Sequence, residues 1–167
     1  ASTVYFVAEA LTLFGSEAQK AKWLPRIAAG EAIGAFATSE RAGPVTQASL
    51  HTVATGGTLS GEKIPVTDGD VADLIVVLAK DGLYLVEKGA GVSAEVLRTL
   101  DPTRSAAKLV FDSAPAERLG GDDGIVAMQA VFDRAAVLLA FEQLGGADRC
   151  LEMAKDYALE RFAFGRA

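Results

Sequence analysis

Apolar and polar positions alternate with two different periods along the chain, and the changes of period divide it into three stretches. In the first, Val4, Phe6, Val7, Ala10, Leu11 and Phe14, then Ala18, Ala21, Leu24, Ile27 and Ala28, recur at intervals of three and four residues, which predicts two amphipathic helices. The break falls at Phe14-Gly15-Ser16: Gly15 ends the first helix, and Ser16 with Gln19 three residues on forms a capping box that opens the second. Gly30 closes that helix. Pro25 sits well inside it, where a proline costs about 3 kcal/mol, so a kink or a new start is expected near Leu24.

The middle stretch reads as short β-rich runs separated by Gly, Asp and Pro: Ile33 to Ser39, Leu50 to Thr55, Thr58 to Val66, Leu74 to Ala79, Leu83 to Glu87, Val92 to Leu100 and Ala107 to Phe111. Runs of this length and spacing predict a small antiparallel barrel or sandwich. Lys80-Asp81-Gly82 between two apolar runs predicts a hairpin, with Asp-Gly supplying positive φ angles.

After Pro115 and the loop Gly120-Gly121-Asp122-Asp123-Gly124 the helical period returns, through Met128, Val131, Phe132, Ala135, Leu138 and Leu139 to Leu151, Ala154, Tyr157, Ala158 and Phe162. About 40 residues of helix would extend roughly 60 Å, with Gly145-Gly146 as a point where it can bend. A helix that long carries more apolar stripe than a chain of this size can cover. The stripe therefore points either to oligomerisation through the C-terminal helices, as a homo- or hetero-oligomer (dimer or tetramer), or to further helices outside this chain, and with a beginning at Ala1 and an ending at Gly165-Arg166-Ala167 without a cap signal a piece of a larger protein is expected. The expected domains are 1–30, the end of a helical domain; 31–116, a β-domain; and 117–167, the start of a second helical domain. The fold class is α+β.

Composition narrows the function classes. A net charge of -6 and a pI near 4.8 argue against a nucleic-acid partner, which requires clustered Lys and Arg. Cys150 is the one cysteine and His51 the one histidine, so neither a disulfide nor a structural zinc site is expected, and no metal is assigned. Asp122 and Asp123 in a Gly-rich turn read as a solvated loop, Gly89-Ala90-Gly91 lacks the Lys-Ser/Thr of a phosphate loop, and His51 reads as a strand residue. No apolar run approaches the roughly 20 residues that cross a bilayer and no signal peptide is evident, so a cytoplasmic location away from membranes is expected.

Gly15-Ser16-Glu17-Ala18-Gln19-Lys20, Leu24-Pro25, Gly30-Glu31 and Ser39-Glu40 follow one another in the order of the Gly-x-x-x-Gln-Lys, Leu-Pro, Gly-Glu and Thr-Glu landmarks of the acyl-CoA dehydrogenase family. Further on, Gly61-Glu62-Lys63-Ile64-Pro65-Val66-Thr67-Asp68 with Ala72-Asp73 resembles that family's Gly-x-Lys-x-Trp-Ile-Thr-Asn and Ala-Asp segments, and Arg161-Phe162-Ala163-Phe164-Gly165 resembles its Arg-x-x-Phe-Gly. The resemblance covers essentially the whole chain. It implies a flavoprotein oxidoreductase of fatty acid or lipid metabolism that uses FAD, takes an acyl-CoA substrate and passes electrons to a partner protein.

The resemblance also implies roles. Donors to the flavin ring fall on Phe36, Thr38 and Ser39 and on Val66 and Thr67, with Ser39 standing where the family has Thr and Thr67 beside the flavin N5. Reduction leaves negative charge on that ring, which backbone N–H groups and hydroxyls stabilise. Arg161 and Phe164 would meet the adenosine diphosphate part of an FAD held mostly by a neighbouring subunit. Gly43 and Pro44 occupy the substrate-binding turn. No residue is assigned as catalytic, because the family's base is expected beyond Ala167.

Two departures stand out. Pro65 replaces the aromatic that covers the flavin, and Ala42-Gly43-Pro44-Val45 replaces Ala-Gly-Ser-Asp, removing a serine that holds substrate; both turn the expectation away from straight-chain acyl groups. A flavin monooxygenase or nitroalkane oxidase on the same fold, or a non-catalytic subunit paired with an active one, are the alternatives.

Overall fold

The structure, a computed structural model, describes residues 1–101, 103–162, 164 and 165. They form two compact units, Ala1–Ala135 and Ala136–Ala167.

The first unit opens with a π-helical segment, Ser2–Ala8, that continues as helix α1, Glu9–Phe14. Helix α2, Glu17–Ala28, begins at the expected capping box: Ser16 Oγ accepts from the Gln19 backbone N–H at 3.2 Å, and Gln19 Oε1 accepts from the Ser16 N–H at 3.0 Å. Contrary to expectation, α2 does not restart near Leu24. It runs through Pro25 and still closes its last turn, where the Ala29 N–H reaches the Pro25 carbonyl at 2.9 Å.

Seven strands follow: β1 Gly34–Ala37, β2 Val53–Thr55, β3 Thr58–Thr67, β4 Leu74–Ala79, β5 Gly82–Glu87, β6 Val92–Val96 and β7 Ala106–Leu119. They lie in the order β1-β4-β5-β7-β3-β2, with β6 also on β7. The sheet is mixed, because β1 runs parallel to β4 while the other pairings are antiparallel. β4 explains its own sequence: Leu74, Val76 and Leu78 face a core shared with the helices, and Ile75, Val77 and Ala79 face a second core inside the β-structure. Burial on both faces removes the period-two signal and leaves a continuous apolar run.

β7 is longer than the sequence pattern predicted. It does not stop at Phe111 but passes on through Pro115 to Leu119. Residues 106–115 pair with β3, and 116–119 pair with β5. A proline lacks the N–H that a ladder needs, so it is tolerated where the strand exchanges one partner for another. The β4–β5 hairpin forms, but Ala79 pairs with Gly82, so Lys80 and Asp81 make the turn. Gly82 instead makes room for Arg118, whose Nη1 would lie 2.9 Å from a β-carbon there. His51 lies just before β2 rather than within it.

Helix α3, Gly124–Glu160, is continuous over 37 residues, without a break at Gly145-Gly146. Asp123 caps its start by accepting from the Val126 N–H at 3.0 Å, and Asp122 pairs with Arg118 at 2.8 Å, so the acidic turn is structural as well as solvated. Met128, Val131 and Ala135 are buried in the first unit. Although charged residues interrupt its apolar run, α3 is long and apolar enough to cross a membrane by length and composition.

Candidate functional site

The end of β1, the end of β3 and two helices meet around a cleft of about 440 Å³. Gly34 sets how closely the first helical segment can lie on β1: a β-carbon there would stand 2.8 Å from the Val7 side chain. That approach brings Phe6 onto Phe36, with stacked rings 6.0 Å apart, and Phe132 from α3 meets both edge-on at 5.8 and 5.9 Å. The three half-buried rings form one wall. Across from them stand Thr38, Pro65 and Thr67, with Arg104 and Ser2 completing the lining, and Ser2 Oγ donates to Asp68. Apolar ring faces on one side, hydroxyls on the other and a guanidinium at the lining suit a planar ligand with polar, anionic edges.

Next to Thr38 lies a buried ion pair. Lys63 is fully buried on β3, and its Nζ donates to Glu40 Oε1 at 2.8 Å and to the Thr38 carbonyl at 3.2 Å. Glu40 in turn accepts from the backbone N–H groups of His51 at 2.6 Å and Thr52 at 3.0 Å, and its Oε2 lies 3.2 Å from His51 Nδ1. Burial works to raise the Glu40 pKa, but the hydrogen bonds from Lys63 and Thr52 and the nearby ammonium charge overcome it and hold the carboxyl at about 2. Burial pulls the Lys63 ammonium below its usual range against the opposing pull of Glu40. The pair ties together the end of β1, the entry to β2 and the middle of β3.

Among the residues singled out from sequence, Phe36, Thr38 and Thr67 share the cleft. Val66 lies between Pro65 and Thr67 but turns its side chain into the second core. Ser39 follows Thr38, and its carbonyl accepts from the Ile64 N–H at 2.8 Å. Gly43 and Pro44 lie on an exposed loop outside the cleft lining. Arg161 and Phe164 belong to the second unit; Arg161 donates to the Tyr157 hydroxyl and stacks over its ring at 5.4 Å, and Phe164 is wholly exposed. Ala163 of that motif is outside the described residues.

Sequence reasoning missed Phe6, Phe132 and Arg104 as cleft residues and the Glu40–Lys63 contact. The two phenylalanines read as helix core stripe, and Arg104 carried no signal. Glu40 and Lys63 were in view only as members of the Thr-Glu and Gly-x-Lys landmarks; those two landmarks turn out to touch.

A mixed sheet flanked by helices, with a cleft where β1 and β3 end, defines an α+β protein whose candidate site lies on its strands. Residues 1–31 match the family described as "Acyl-CoA dehydrogenase, N-terminal domain". An acyl-CoA dehydrogenase of Bacillus subtilis is 33% identical over 92% of this chain and 46% of its own length. Among solved structures, butyryl-CoA dehydrogenase from Megasphaera elsdenii superimposes with a TM-score of 0.84 at 28% identity, over 98% of this chain and 48% of that one. A glutaryl-CoA dehydrogenase from Mycobacterium smegmatis, in complex with FADH2, does so with 0.82 at 30%, over 97% and 46%. The chain belongs to the acyl-CoA dehydrogenase family, and it spans about half the length of these relatives.

Proposed function

We propose that this chain is the flavin-holding part of an FAD-dependent acyl-CoA dehydrogenase, which oxidises an acyl-CoA thioester between its α and β carbons. One observation carries the reading: Phe36 and Thr38 at the end of β1 and Thr67 at the end of β3, singled out by motif in two separate segments, line a single cleft walled by aromatic rings. The residues present suit FAD. Phe6, Phe36 and Phe132 exclude water from a flat apolar face, and the Thr38 and Thr67 hydroxyls and the backbone N–H groups around them are donors for polar ring edges. Arg104 adds positive charge at the same lining. FAD, when bound, supplies the acceptor for the substrate's β-hydride.

This chain's contribution is binding, orientation and charge stabilisation; the base that removes the α-proton is assigned to residues beyond Ala167. In the same proposal Arg161 and Phe164 serve the adenosine diphosphate end of an FAD held by a neighbouring subunit, Gly43 and Pro44 lie along the substrate's path, the domains divide at about residues 30 and 116, and electrons leave to a partner protein. The test is the full-length protein purified with its native cofactor. FAD released on denaturation, together with acyl-CoA-dependent reduction of an artificial acceptor that falls in Thr67→Val, supports the reading. FMN as the sole flavin, or a colourless protein that takes up no FAD, refutes it.

A further inference from the structure

We infer that Lys63 is a positioning residue for the cofactor, acting through the Thr38–Ser39 peptide to strengthen the Ser39 N–H as a hydrogen-bond donor; the inference rests on the flavin reading of the cleft. Thr38 lines the cleft, and its carbonyl accepts at 3.2 Å from the buried ammonium of Lys63, which is not one of the lining residues. A peptide unit is planar and trans, so the N–H of the same unit, which belongs to Ser39, is aimed away from Lys63. Among the described residues that N–H has no protein acceptor, although the Ser39 carbonyl is satisfied by Ile64.

An ammonium hydrogen-bonded to a carbonyl draws electron density along the peptide and makes the distal N–H more acidic, and low local polarity enlarges the effect. Lys63 has no exposure to water that would screen it. Glu40 offsets part of its charge, yet Glu40 is drawn toward the N–H groups of His51 and Thr52, so the positive end of the pair is the end that abuts Thr38. A donor strengthened in this way favours a ligand whose charge becomes more negative on reduction. Lys63 therefore raises the affinity of the site for the reduced form relative to the oxidised form.

The experiment is potentiometry of the FAD-loaded protein, as wild type, Lys63→Met, and the double variant Glu40→Gln/Lys63→Met. The double variant leaves no unpaired buried charge and keeps the test available where the single variant does not fold. The expected result is a fall in midpoint potential corresponding to a roughly 3- to 10-fold loss of preference for the reduced flavin, with Lys63→Arg retaining most of the wild-type value. In the cofactor-free protein the carbonyl carbon of Thr38 shifts upfield in the NMR spectrum of the double variant. A folded, FAD-loaded double variant with unchanged potential overturns the role of Lys63 and leaves the flavin reading standing. A wild-type protein that takes up no FAD fails at the earlier step and overturns both.

Discussion

Phe36 on β1 and Phe132 on α3 meet with their ring centroids 5.9 Å apart and their planes inclined at 68°, and this contact joins the sheet to the last helix at the cleft wall. Such edge-to-face pairs contribute about 0.5–1.5 kcal/mol beyond the area they bury. Phe132→Ala is expected to lower stability by roughly 2–3 kcal/mol and to weaken FAD binding, because it removes a wall of the cleft. Phe132→Leu retains the bulk and loses about 1 kcal/mol. Thermal unfolding and flavin fluorescence titration measure the two effects, and full binding with the alanine would show that the ring does not border the cofactor.

Acid should weaken the fold through Glu40. Its pKa falls from an ordinary 4.5 to about 2 on folding, so the unfolded chain takes up a proton more readily and stability rises with pH across that interval. The contribution is fully present above about pH 4.5 and is lost as pH falls through 2, to a limit of about 3 kcal/mol. In Glu40→Gln/Lys63→Met the slope of stability against pH between 2 and 4.5 should flatten, which urea unfolding at several pH values resolves. The single variant Lys63→Met, which strands a buried carboxylate, should cost about 3–5 kcal/mol.

Gly34→Ala tests the packing that shapes the cleft. The added methyl would lie 2.8–2.9 Å from three carbons of Val7, a closer approach than packed atoms tolerate. A loss of roughly 1–3 kcal/mol is expected, and the paired variant Gly34→Ala/Val7→Ala should recover part of it. A neutral Gly34→Ala in chemical denaturation would show that the first helical segment can shift without cost.

The 167-residue chain by itself is expected to bind FAD weakly, to show no dehydrogenase turnover and to self-associate. Phe141, Leu144 and Leu151 on α3 are each about two-thirds exposed, and burying one such side chain contributes about 1.5–3 kcal/mol. Sedimentation velocity at rising concentration, with a flavin titration alongside, measures both properties. A monomer that binds FAD stoichiometrically and turns over acyl-CoA would contradict the assignment of the base and the second half-site to residues outside this chain.

Local physics made much of this legible in advance. The Ser16–Gln19 box, the seven strands, the hairpin after Ala79 and the return of helix at Gly124 each follow from residues near one another in sequence. The errors have local causes as well. The strand reads as ending at Phe111, whereas the change of partner that carries β7 on through Pro115 depends on β3 and β5 being beside it. The parallel pairing of β1 with β4 was illegible for the same reason: a short strand buried on its inward positions has no mark of the direction of its neighbour.

For the site, residue types and motif order singled out Phe36, Thr38, Ser39, Val66 and Thr67 by their resemblance to a flavin-type pattern, because a motif records which chemical groups occur at which spacing. Tertiary structure decided which of them share a surface, setting Phe36, Thr38 and Thr67 around the cleft and Val66 into the core. It also drew in Phe6, Phe132 and Arg104. The union of Glu40 with Lys63 was likewise a tertiary decision. Nothing local in the sequence joins two opposite charges 23 residues apart, and only the folding of the chain around β3 brings Glu40 onto the fully buried Lys63.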